Sequence, residues 1–152
     1  MSDNKDTIER YYQRVFNGRE LAAIGEYWAD QRMVEGVTRG CLSYFDAFPD
    51  LHISLDDLIA EEDRVFVRST MTGTHDGEYK GIAPTGRNVA ADCAEVYRLA
   101  EGKIVGYWCL LDGAGLMRRL TEEPVPAQAG PADVAAGAPP AETVMDDAAI
   151  AG

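Results

Sequence analysis

Long apolar runs are missing from this 152-residue chain: no window approaches the roughly 18 consecutive apolar residues of a membrane-spanning helix. Cations are scarce as well. Fourteen Lys and Arg stand against 26 Asp and Glu, a formal net charge of -12. That balance disfavours a phosphate backbone as partner, because clustered Lys and Arg would have to hold it. Neither a membrane nor a nucleic acid is therefore expected. Cysteine is limited to Cys41, Cys93 and Cys109, far apart and outside any Cys-x-x-Cys pattern. An odd, scattered set argues against a disulfide framework or a zinc site and suits a reducing compartment. Residues 1–6 carry no apolar stretch of the secretory kind, so the expected location is cytoplasmic. Also missing are a Gly-x-Ser-x-Gly nucleophile turn, a cysteine near a plausible base, a metal-ligand cluster and a dinucleotide fingerprint. No cofactor and no metal are expected.

What is present is a 46% apolar share, enough for one globular core. Residues 121–152 stand apart, with six acidic residues, no Lys or Arg, five of the seven prolines, ten alanines and no aromatic residue. Such a segment buries too little apolar surface to offset the entropy of ordering it. It reads as an acidic, Ala/Pro-rich disordered tail, with at most weak helix over 141–149, behind a folded domain at 1–120.

The first half of that domain has helical periodicity. Ile8, Tyr11, Tyr12, Val15 and Phe16 form one apolar face over residues 6–16, with Asp6 read as its cap and Asn17-Gly18 as its stop. Leu21, Ile24, Tyr27 and Trp28 suggest a short second helix. Val37, Cys41, Tyr44, Phe45 and Phe48 suggest a third, ended by Pro49. Residues 51–59, 64–74, 88–99 and 104–111 then read as strands, the last two joined by a tight turn at Ala100-Glu101-Gly102-Lys103. Helices first and an antiparallel meander afterwards predict an α+β domain, three N-terminal helices packed against one face of a curved sheet.

Several pieces, in this order and spacing, resemble the SnoaL-like polyketide cyclase family of the nuclear-transport-factor-2-like superfamily. They are Phe48-Pro49-Asp50, Gly73-Thr74-His75, Pro84-Thr85-Gly86-Arg87, Gly102-Lys103-Ile104 and Trp108-x-x-x-Asp112. The resemblance covers residues 5–120 and implies a cone-shaped sheet, a homodimer or homotetramer joined through outer sheet faces, and a hydrophobic polycyclic substrate. It also implies a cofactor-independent enzyme that closes a ring of an aromatic polyketide, as in antibiotic biosynthesis, by intramolecular aldol chemistry. Other chemistries of the same fold stay open: a cofactor-free hydroxylase partner, an isomerase, an epoxide-opening enzyme, or a non-catalytic binding protein.

Asp112 is the first candidate for acid/base work. Strand alternation sets Trp108, Leu110 and Asp112 on one face and Tyr107, Cys109 and Leu111 on the other. A carboxylate beside indole and leucine is desolvated if that face lines a cavity; otherwise it caps the turn that starts at Gly113. The resemblance implies the acid/base role. His75 is the second catalytic candidate, with a backbone-bonding turn residue as its other reading. His52 reads as a surface residue. Asp92 and Glu95, three apart on a strand, face opposite ways, so at most one enters a cavity. Residues 81–87 read as a loop over the cavity mouth, with Arg87 in a structural role. Tyr12, Trp28, Phe45, Tyr97, Tyr107 and Trp108 are candidates to line an apolar pocket. Two departures from the family pattern are the short passage Asp30-Gln31-Arg32-Met33 into the third helix and Gly106-Tyr107 where a polar pair is usual.

Overall fold

A computed structural model describes residues 3–122. The tail at 123–152, with the weak helix suggested at 141–149, lies outside the described residues. The element order is α1 (Asn4–Tyr11), a π-helical turn (Tyr12–Asn17), a short 3₁₀ turn leading into α2 (Ile24–Tyr27), α3 (Gln31–Ala47), β1 (His52–Glu61), β2 (Arg64–Thr74), β3 (Asn88–Ala100), β4 (Lys103–Leu111) and α4 (Gly113–Thr121). The strands form one open antiparallel sheet in the order β1-β2-β3-β4, and the fold is α+β with its helical layer at the N-terminus, as the periodicity predicted. No helix among the described residues is long and apolar enough to cross a membrane.

Local chemistry sets the element ends. Asp3, not Asp6, caps α1: its side chain accepts from the backbone N–H of Lys5 at 3.0 Å, and Asp6 falls within the first turn, where its charge suits the helix N-terminus. The helix then widens into the π turn, which brings the adjacent rings of Tyr11 and Tyr12 both into the core, each 1% exposed. Asn17 closes that turn. Its amide pairs with β1 like a piece of strand backbone, donating to the Ile53 carbonyl at 2.9 Å and accepting from the Ile53 N–H at 2.8 Å. Arg19 then clamps the same junction, donating to the carbonyls of Phe16, Pro49 and Leu51 while its guanidinium lies over the Phe45 ring.

Just before the short passage Asp30-Gln31-Arg32-Met33, Trp28 makes one isolated parallel bridge to Ile104 of β4. Two irregularities bend the sheet. Between Leu55 and Asp57 the register with β2 slips, so Ile53 and Leu55 face inward before the slip and Leu58 and Ala60 after it. A second slip lies at Arg98/Leu99 opposite β4. The β3–β4 hairpin turns on Glu101 and Gly102, both left-handed, as a two-residue turn matched to strand twist requires.

The main core packs Ile8, Tyr11, Val15 and Ile24 of the helical layer against Val65, Val67, Tyr97 and Ile104 of the sheet. Each such fully buried aliphatic side chain contributes about 1.5–3 kcal/mol of transfer free energy. A second core joins Phe48, Met71, Tyr79 and Val89 to Leu116 and Leu120 of α4. That last helix is an addition to the sequence reading, which saw only a turn at its start. Gly77 closes the fold's end: its N–H and that of Asp76 donate to the Ala47 carbonyl, and any Cβ there would stand 1.9 Å from the Asp46 carbonyl oxygen.

Candidate active site

Between α3 and the inner face of the sheet lies a cavity of about 360 Å³. Its walls are mostly apolar and aromatic: Phe16, Trp28, Val37, Phe45 and Met71 among others, with Tyr97 and Tyr107 on the sheet side. A pocket of this size and character suits a flat hydrophobic ligand. Among the described residues that line it, Glu95 is the one carboxylate.

Glu95 sits on β3, 8% exposed, and two tyrosines hold it. The Tyr12 hydroxyl donates to Oε1 at 2.6 Å and the Tyr97 hydroxyl to Oε2 at 2.6 Å, while the two hydroxyls stand 2.9 Å from each other. Burial, joined by the nearby carboxylate, pushes both phenols well above their ordinary range, so they stay protonated as donors. The triangle meets its hydrogen bonds in two protonation states. With Glu95 ionised, two phenolic protons serve its two oxygens. With one more proton, Glu95 donates to Tyr12, Tyr12 to Tyr97 and Tyr97 to the other carboxyl oxygen, so all three contacts are satisfied. The acid can hold or release a proton without leaving a buried group unpaired.

Two thiols border the same acid. Cys93 Sγ donates to Glu95 Oε1 at 3.3 Å and lies 3.5 Å from Cys109 Sγ. Cys109 is the exposed member of the pair, and the hydrogen bond from Cys93, helped by one from Tyr107, draws its thiol below the usual range against partial desolvation and the Glu95 charge. Cys93 moves up accordingly, its proton held between the other thiol and the acid. Cys41, across the cavity on α3, is raised to about 11 by burial. Cysteines that are scattered in sequence thus become neighbours, because β3–β4 pairing sets Glu95 opposite Cys109 and Cys93 opposite Leu111.

Of the residues singled out from sequence, Trp28, Phe45, Tyr97 and Tyr107 line the cavity, and Tyr12 meets it through Glu95. Trp28 is anchored by its indole N–H, which donates to the Tyr11 hydroxyl at 3.1 Å. Trp108 lies on the opposite face of β4, 54% exposed, with Leu110 beside it at 62%. Asp112 follows that outward face. It is exposed, lies outside the cavity lining, and its Oδ1 accepts from the Gly115 N–H at 2.9 Å as the first-turn cap of α4. His75 is fully buried but also outside the lining. Its Nδ1 lies 3.0 Å from the Thr85 hydroxyl and 3.2 Å from the Thr85 backbone nitrogen, and its backbone pairs with Arg87 and Gly86 to fasten the 76–87 loop. His52 is exposed, and so is Asp92. Arg87 donates to the Arg119 carbonyl, a structural tie to α4. Sequence reasoning weighed Glu95 only as one of two strand carboxylates; the signal that selects it is the inward phase it shares with Cys93 and Tyr97.

A four-stranded sheet backed by N-terminal helices, with one held acid in an apolar cavity, is an α+β scaffold whose pocket has the character of small-molecule sites. The model of the SnoaL-like polyketide cyclases matches residues 6–120, and the chain belongs to that family. Among solved structures it is similar to AclR from Streptomyces galilaeus, a proposed hydroxylase, at 28% identity and a TM-score of 0.68, covering 80% of this chain and 97% of that one. It is similar also to IdmH from Streptomyces antibioticus, a proposed polyketide cyclase, at 25% identity and a TM-score of 0.69, covering 78% and 99%. A SnoaL-like protein from Jannaschia shares the fold at 20% identity and a TM-score of 0.71, over 80% of this chain and 93% of that one. No curated protein matches the sequence.

Proposed function

We propose that this chain closes a ring in a polycyclic aromatic polyketide by intramolecular aldol chemistry, with Glu95 as the acid/base group. The observation that carries this reading is the position of Glu95 as the carboxylate among the described residues lining the cavity, held by the hydroxyls of Tyr12 and Tyr97. A substrate methylene flanked by conjugated carbonyls is acidified by its own structure. Glu95 removes its proton through Oε2, which has one lone pair left beside the Tyr97 bond. The enolate carbon attacks the facing carbonyl, and Glu95 returns the proton to the alkoxide that forms. The apolar walls hold the two carbons together. In this reading Asp112 is the cap of α4, and the acid/base role that the family resemblance implied for it passes to Glu95.

The test is turnover of a linear or partly cyclised aromatic polyketide. Glu95→Gln, which keeps the shape and hydrogen-bonding reach, is expected to lower kcat by about 10²–10⁴-fold. Near-normal turnover by that variant would sink the assignment. The likeness to AclR favours a second reading, cofactor-free hydroxylation in the same cavity; oxygen appearing in product from O₂ would select it over ring closure.

The outer sheet face supports self-association. Ile59, Trp108 and Leu110 are 60%, 54% and 62% exposed there, a set of large apolar groups on one side of the sheet. Trp108→Glu is expected to shift a homodimer or homotetramer to monomer in sedimentation; an unchanged mass would refute pairing through this face.

A further inference from the structure

We propose that Cys93, Cys109 and Glu95 form a binding site for one thiophilic divalent cation of the zinc type, on the sheet side of the cavity. The two sulfurs and a carboxylate oxygen lie within 4.8 Å of one another. Bonds of about 2.3 Å to sulfur and about 2.0 Å to oxygen, at tetrahedral angles, set two sulfurs about 3.8 Å apart and sulfur about 3.5 Å from oxygen. The corresponding separations are 3.5 Å between the sulfurs and 3.3 Å from Cys93 Sγ to Glu95 Oε1. These two separations need to open by only a few tenths of an ångström to receive the ion, and the third, from Cys109 Sγ to the Glu95 carboxylate, lies within 4.8 Å.

Three further features suit the site to a cation. The Tyr12 and Tyr97 hydroxyls fix the carboxylate from behind, as outer-shell donors do in metal centres. The lone pair of Oε1 that now takes the Cys93 thiol proton is the one the ion would occupy, while that proton and any left on Cys109 pass to solvent. Two thiolates and a carboxylate would repel one another in an apolar cavity, and a divalent charge offsets two of the three. Since all three residues line the cavity, the fourth position is open to it. Sequence spacing gives no hint of this, because the ligands come from paired positions on two strands rather than from one loop.

The experiment is anaerobic titration of the reduced full-length protein with Co²⁺. One equivalent is expected to give the near-ultraviolet thiolate-to-cobalt charge-transfer band, which Zn²⁺ then removes. Cys93→Ser and Cys109→Ser each lose the band, with affinity falling by more than about 100-fold; Tyr12→Phe and Tyr97→Phe keep it with affinity lowered about tenfold. Cys41→Ser, outside the cluster, binds as wild type. A measurement that needs no variant is thiol mapping by alkylation and mass spectrometry, in which one equivalent of Zn²⁺ shields Cys93 and Cys109. Absence of the band, its survival in both serine variants, its loss in Cys41→Ser, or equal alkylation with and without Zn²⁺ would each overturn the site. Cation binding is read by spectroscopy and thiol protection, so it stands or falls separately from ring closure.

Discussion

The hydroxyl of Tyr12 reaches Glu95 Oε1 at 2.6 Å across a sequence separation of 83 residues. A π-helical turn in the N-terminal layer and an inward position on β3 are both required for that contact. Removing the donor leaves the acid in the cavity but less firmly placed. Tyr12→Phe is expected to reduce kcat about tenfold with KM nearly unchanged, the equivalent of about 1.4 kcal/mol for one lost hydrogen bond. An unchanged kcat would show that Tyr12 is packing alone.

Asp112 gives the sharpest contrast between a cap and a catalyst. Asparagine caps as well as aspartate, so Asp112→Asn should keep both thermal stability and turnover, while Asp112→Ala should cost about 1 kcal/mol of stability. Thermal melts and steady-state rates of the two variants decide it. A large loss of kcat in Asp112→Asn, with its melting temperature intact, would return the acid/base role to Asp112.

Asp50 predicts a pH effect of definite sign. Its Oδ2 accepts from the Thr74 hydroxyl at 2.7 Å and its Oδ1 from the Thr74 N–H at 2.6 Å, and these bonds hold its carboxyl below the usual range. Because the folded value lies below the unfolded one, the stabilisation is full above the unfolded value of about 3.9 and is lost as pH falls through the folded value. Asp50→Asn should therefore melt lower than wild type at neutral pH, with the gap closing below about pH 4. A gap independent of pH would assign the effect to packing instead.

Gly36 and Gly40 lie in α3 along the cavity wall, and a Cβ at either meets nothing within 4 Å. Gly36→Ala should stabilise the fold by roughly 0.5–1 kcal/mol through helix propensity, leaving activity near normal. Gly40→Leu should fill ligand space and raise KM for a polycyclic substrate. If Gly40→Leu leaves KM unchanged, the substrate does not lie against α3.

Much of the architecture was legible in the sequence because periodicity reports burial directly. The apolar face at Ile8, Tyr11, Tyr12 and Val15 and the alternation through β2 and β3 each state which side of an element meets the core. The helix α4 escaped notice because it starts with Gly113-Ala114-Gly115, residues whose helical state is set by the Asp112 cap and by Leu116 and Leu120 reaching the second core. The phase of β1 past Leu55 was equally hidden, since a bulge leaves no fixed residue signature.

By itself the sequence determined the order of helices and strands, the acidic composition and the family to which residues 6–120 belong, all properties carried by residue content, neighbouring residues and their spacing. Only the tertiary structure decided which acid enters the cavity. Trp108 and Asp112 share a strand phase with each other, but which phase faces inward depends on how β4 pairs with β3 and on where the helical layer packs. That packing turns Tyr107 and Cys109 toward Glu95 and leaves Trp108 and Asp112 exposed, and the same strand pairing makes neighbours of two cysteines 16 residues apart.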